Sequence, residues 1–168
     1  KRFVCPWNTQ HRLYKRLVYE EQIVQNISVY QSSQKLSSTF NIQAFIKPGV
    51  SLDEVEVKIY EEINKLFNEN PSEREVQRGI NQFEAYFIRS MEMNTGSSGK
   101  ADALNRYYFY TGEPNYFNQD LNRYLQIKPE DISFIAKKYL SQNKVTISIV
   151  PEGQKQIALK NSNEITPK

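Results

Sequence analysis

From Phe40 onward the chain changes period, and that change constrains the fold most. Phe40, Ile42, Ala44 and Ile46 alternate with Asn41, Gln43, Phe45 and Lys47, the two-residue period of a half-buried strand. Pro48-Gly49 stops it. Ser51 with Glu54 three residues on then has the form of a capping box. The helix it opens places Leu52, Val55, Ile59, Ile63 and Leu66 on one face. Asn70-Pro71 ends that helix. Ser72 with Glu75 forms a second capping box, and its helix carries Val76, Ile80, Phe83, Phe87 and Met91 on one face. One-sided helices that follow a one-sided strand must pack on a single face of a sheet.

The remaining elements follow the same logic. Residues 3–8 read as a strand, demoted toward an edge by Pro6. Residues 10–21 read as a helix, and 23–34 and 36–47 as two strands joined by a Ser32-Ser33-Gln34-Lys35 loop. Residues 94–99 (Asn-Thr-Gly-Ser-Ser-Gly) form a connector; they lack the Lys that a phosphate-binding loop needs. Helices are predicted over 100–110, 116–125 and, opened by Pro129, through Leu140. Residues 144–150 (Lys-Val-Thr-Ile-Ser-Ile-Val) read as a strand closed by Pro151. The tail 152–168 is polar and expected to be loose. The expected class is α+β: two layers, with a mixed, largely antiparallel sheet and helices mainly on one face.

Composition excludes more than it assigns. At 168 residues the chain fits one domain with a sizeable core. A net charge of +3 is too small to imply nucleic acid. Lys1, Arg2, Arg12, Lys15 and Arg16 lie near Trp7 and Tyr14, a mixture that suits single-stranded nucleic acid. Glu20 and Glu21 follow at once, which favours a solvated helix face. No apolar run reaches membrane-span length. Cys5 is the only cysteine, so no intrachain disulfide forms; the compartment stays open between periplasm and cytoplasm of a bacterium. A start at Lys1-Arg2-Phe3 without Met is that of a fragment or mature form. The eleven Tyr and nine Phe suit an interdomain surface or a peptide groove, or equally an aromatic core boundary.

Several segments together, in order, resemble the insulinase-type (pitrilysin-like, M16) zinc peptidases, and specifically their inactive half-domain. They are Leu13-Tyr14-Lys15-Arg16-Leu17-Val18-Tyr19-Glu20-Glu21-Gln22, the helix start at 48–55 and the Pro-Ser-x-x-Glu-Val start at 71–76. Two later segments follow: Arg106-Tyr107-Tyr108 through Pro114 to Tyr116, and the Pro-Glu-Asp-Ile helix of 129–140 with its closing strand. The resemblance covers about 13–151. It implies one half of a two-half subunit, residues 1–151 forming a single half-domain, and two subunits closing around a peptide. In the family a long helix separates the strand resembling 3–9 from the Leu-Tyr segment. Several dozen residues are therefore expected to be missing, disordered or deleted, between Thr9 and Gln10.

The departures from the family decide the functional expectation. The family binds zinc through His-x-x-Glu-His and a downstream Glu. This chain has a single histidine, His11, in the context His-Arg-Leu-Tyr. Three protein ligands and a base near the metal-bound water are not available from it. His11 reads as a solvated helix-start residue, and Cys5 as a small apolar one rather than a nucleophile. The family also uses an Arg and a Tyr seven positions apart to grip substrate; those positions hold Val18 and Gln25. Val18 cannot donate a hydrogen bond, whereas Gln25 can still bind a peptide carbonyl. No catalytic and no metal-binding residue is assigned, and zinc is expected in a partner domain. Phe40, Asn41, Gln43 and Phe45 are candidates to line a substrate chamber, where an extended peptide can pair with a strand edge. The partners implied are another insulinase-family domain and, through it, a peptide. The alternatives are a purely structural subunit of the same superfamily and an unrelated binding module.

Overall fold

The computed structural model describes residues 11–34, 36–92 and 99–160. The first helix, α1, spans 11–20 within this range. It is α-helical over 11–14 and widens to a π-helix over Lys15–Glu20. The wide turn is closed by the Glu21 N–H donating to the Arg16 carbonyl at 2.8 Å. Its side chains follow the wider spacing: Tyr14 and Tyr19, five residues apart, meet edge-to-face at 5.3 Å. Leu13 and Leu17 are fully buried.

Strand β1 is Val24–Ser33 and β2 is Ser38–Ile46; they form an antiparallel hairpin. The hairpin loop is closed by Gln34 N–H on the Ser37 carbonyl at 2.9 Å. On β2 the alternation holds: Phe40, Ile42, Ala44 and Ile46 pack against the core, and Phe45 is exposed on the opposite face. On β1 it is interrupted. Val24, Ile27 and Val29 are all buried, although Val24 and Ile27 are three apart. A two-residue period cannot bury both. The register shifts between Val24 and Asn26, so Gln25 is the extra residue of a β-bulge, and the bulge brings Ile27 back to the inner face.

Helices α2 (Leu52–Asn68), α3 (Glu73–Glu92), α4 (Lys100–Thr111), α5 (Phe117–Leu125) and α6 (Pro129–Leu140) follow. Two apolar clusters result. One joins Leu13, Leu17, Val24, Ile27 and Val29 to Val55 of α2. The other joins Leu66 of α2 to Val76 and Ile80 of α3 and Ile132 and Ala136 of α6. At the far end of α3 the contacts are aromatic: Phe83 stacks on Tyr124 at 3.6 Å, and Phe87 meets Phe117 at 6.3 Å. Gly112, at φ 76°, ends α4 in the left-handed conformation that glycine adopts without strain. Among the described residues no helix is long and apolar enough to cross a membrane.

Three expectations need correction. Ser51 stands at the N-cap of α2 but makes no side-chain cap bond; Glu54 is drawn instead to Lys58, one turn on, at 3.0 Å. The Ser72 box does form, with Ser72 N–H on Glu75 Oε2 at 2.9 Å and Glu75 N–H on Ser72 Oγ at 3.3 Å. Residues 144–150 pair with no described strand; among the described residues their contacts are side-chain ones to α2, Thr146 with Tyr60 and Lys144 over the Tyr60 ring, rather than a backbone ladder. The first part of the tail is tied down rather than loose: Lys155–Ile157 forms a 3-10 turn, and the Lys160 N–H donates to Asp53 at the start of α2 at 3.1 Å. The expected strand at 3–8, the Thr9–Gln10 junction and the 94–98 part of the connector lie outside the described residues.

Leu66 has no exposed surface and sits where α2, α3 and α6 meet. Truncation there should leave a cavity that packed helices cannot close. Leu66→Ala is expected to lower unfolding free energy by about 2–5 kcal/mol, read from urea denaturation followed by circular dichroism.

Candidate functional site

The candidate residues fall on two sides of the hairpin. Phe40 belongs to the inner row of β2 and packs on the core. Asn41, Gln43 and Phe45 belong to the outer row; Asn41 is half-buried, its side-chain amide donating to Thr39 Oγ1 at 3.1 Å, and Gln43 and Phe45 are exposed. All four border one cavity of about 2090 Å³. The cavity runs from β2 over α2 and α6 to the 144–150 segment. Gln25 also borders it. Val18 does not: it sits in the π-helical stretch of α1 and packs against the hairpin core. The structure thus brings the four β2 residues together with Gln25 and leaves Val18 apart.

The bulge is what sequence reasoning missed here. Its signal was present in the three-residue spacing of Val24 and Ile27. A bulge re-aims the side chain it carries, and Gln25 stands out exposed beside the hairpin's open end.

The charged cluster on α1 is a structural clamp. Arg16 donates to Glu21 at 2.7 Å, Glu61 at 2.6 Å and Glu62 at 2.8 Å. Glu62 is buried and also accepts from Lys65 at 2.6 Å. The Arg16 guanidinium is held charged well above its ordinary range, chiefly by Glu21 and then Glu61. Burial pushes the Glu21 carboxyl up, but hydrogen bonds from Lys58 and Arg16 outweigh it and the net shift is downward. Arg12 grips Glu75 through two parallel bonds of 3.0 Å each. With the Ser72 cap they lower the Glu75 carboxyl to about 2. These groups neutralise one another and tie α1 to α2 and α3. His11 is exposed at the described start of α1. Among the described residues no group of three or more His, Cys, Asp or Glu is placed to hold a metal ion.

A bulged hairpin stands behind a Leu-Tyr helix and ahead of two one-sided helices, a specific order of parts. Residues 8–83 match the family model described as the peptidase M16 inactive domain. Over that stretch, less than half of its length, the chain is similar to the inactive domain of the M16 peptidases. The fold likeness reaches further along the chain. A protease from Helicobacter pylori superposes over 77% of this chain with a TM-score of 0.67 at 18% identity. The periplasmic protease PqqL from Escherichia coli does so over 80% with a TM-score of 0.61, also at 18% identity. At such identity the likeness concerns the fold. This chain spans 30% of the first protein and 15% of the second. No curated protein matches it. The matched model is that of an inactive domain, which points to a non-catalytic stretch.

Two outcomes follow for the clamp. Arg16→Met leaves Glu62 buried with Lys65 alone, and is expected to cost about 1–3 kcal/mol in urea denaturation. Glu75 has a folded value of about 2 against an ordinary 4.5. Folding therefore favours its charged form, so its contribution is complete above pH 4.5 and is lost as pH falls toward 2. Because Glu75 is partly exposed, that contribution is only about 1–2 kcal/mol after solvent screening. In urea titrations at stepped pH, Glu75→Gln should flatten this part of the acid profile.

Proposed function

We propose that this chain is the non-catalytic domain of a zinc metallopeptidase, lining a peptide-binding chamber beside a domain that carries the zinc. The M16 inactive-domain pattern over residues 8–83 carries the reading. The sequence supports the division of labour, having one histidine and no His-x-x-Glu-His. Val18 and Gln25 stand where the resembled family places its substrate-gripping Arg and Tyr. Val18 is engaged in the core and offers no donor. Gln25, exposed at the bulge, keeps an amide with which to meet a peptide carbonyl.

The face of the hairpin turned from α2 suits the chamber side. Its row of Asn41, Gln43 and Phe45 offers two amides and one aromatic ring, and Tyr30 is exposed on the neighbouring strand. Amides bind peptide backbone without regard to sequence, and an exposed ring binds apolar side chains. Zinc would enter through a partner M16 domain, with which this domain pairs; nothing in the chain's residues is assigned to bind it.

The test has two arms. The purified chain, supplied with zinc, is incubated with an unstructured peptide with and without a chelator; no cleavage is expected. Chelator-sensitive hydrolysis by the chain alone would overturn the reading. In the second arm the polypeptide or complex that contains this domain is sequenced for His-x-x-Glu-His. Its presence, with peptide turnover reduced about tenfold or more in kcat/KM by combined Gln43→Ala and Phe45→Ala, supports a chamber role. Its absence favours a structural subunit instead.

A further inference from the structure

The outer face of the hairpin has a layout that narrows what it can hold. Its residues pair across the strands as Tyr30 with Asn41, Ser28 with Gln43 and Asn26 with Phe45. Each end row thus carries one ring and one amide, and the middle row a hydroxyl and an amide. The rings sit on opposite strands and are about half exposed, Tyr30 at 48% and Phe45 at 53%. Asn26 and Gln43 are exposed as well.

Charge is the second constraint. Charged residues make up 24% of the chain, yet none lies among the ten residues of β1 or the nine of β2. Lys47 stands just past the end of β2, beyond the Phe45 row. Solvent-facing surface ordinarily mixes charges of both signs, which keep it soluble. Hydroxyls, amides and Tyr rings without charge are instead the composition of surfaces that bind other polypeptides.

Spacing is the third. Asn41 stands opposite Tyr30 and four residues before Phe45, so the rings are about 13 Å apart along the strands at ~3.3 Å per residue. The offset of about 5 Å between strands lengthens the diagonal little. An extended peptide passing over both rings has the same rise per residue. It therefore meets them with side chains i and i+4, which point to one side of the peptide. Its i+2 side chain comes down on Ser28 and Gln43. A charge there would lose water and meet only neutral groups. An amide or hydroxyl there can exchange hydrogen bonds with Gln43.

We infer that the outer hairpin face binds an extended peptide segment with apolar or aromatic side chains at i and i+4 and an uncharged polar residue at i+2. The inference rests on the chamber reading and adds to it the class of peptide held at this face.

Nuclear magnetic resonance titration of the isotope-labelled 168-residue chain tests it. The probe is the end-blocked peptide Ser-Phe-Thr-Gln-Thr-Phe-Ser. One control moves the second Phe to i+2 by exchanging it with the Gln. Two others replace the Gln by Asp or by Lys. The probe is expected to shift the side-chain amides of Asn26 and Gln43. Affinity is expected to fall about tenfold or more with each control peptide, and with Tyr30→Ser or Phe45→Ser in the chain. Both rings are exposed, and unchanged core resonances would show that the variants keep the fold. Equal binding of the probe and its controls would overturn this inference and leave the chamber reading standing. Binding untouched by both chain variants would overturn it in the same way. No shift on this face with any of the peptides would overturn it together with the chamber side assigned to the hairpin.

Discussion

Helix α2 is the beam on which the described fold rests, and its two apolar ends are the reason. Near its start Val55 enters the cluster of α1 and the hairpin; near its end Leu66 enters the cluster of α3 and α6. Neither cluster contains a buried residue of the other. A change in the path of α2 would therefore be felt in both, because packed interiors transmit displacement rather than absorb it. The polar side of the same helix is also occupied. Lys58, Glu61 and Glu62 receive Glu21 and Arg16 from α1. Ion pairs of this kind add little net stability when exposed. Here they set how α1 lies along α2, and with it the position at which the hairpin begins.

That dependence explains which parts of the fold were legible in the sequence. The faces of α2 and α3 were readable because a period of 3.6 with capping residues is local information: Val55, Ile63, Leu66, Val76 and Ile80 are all buried. The inner row of β2 was readable for the same reason. What could not be read locally was the π-helical turn of Lys15–Glu20, since a widened turn answers to what Arg16 and Leu17 must reach on other elements. Likewise, the Ser51 box is matched by its sequence but not by its bonds, because Lys58 competes for Glu54. The segment 144–150 shows the same limit from the other side. Its alternation specifies a strand, but a strand exists only where a second backbone meets it.

The candidate site was legible in a similar, partial way. That Asn41, Gln43 and Phe45 share a face follows from alternation alone, and the structure adds Gln25 to the same cavity border through the bulge. Phe40 shares the cavity border but its ring serves the core, as its place in the inner row requires. The bulge ties local fold to site. Burying Val24, Ile27 and Val29 together forces one extra residue into β1, and that residue is Gln25. A side chain there is held by the packing of its neighbours, so the bulge is a feature of the hairpin itself.

The hairpin keeps its frame for a physical reason of its own. A hairpin alone is marginal in water, and here it is held by α1 and α2 on one face while the other face and one edge stay open among the described residues. An open edge invites pairing with any extended chain, and natural proteins suppress that hazard with charges or proline. Neither device lies within β2, whose nine residues from Ser38 to Ile46 contain no charged residue and no proline.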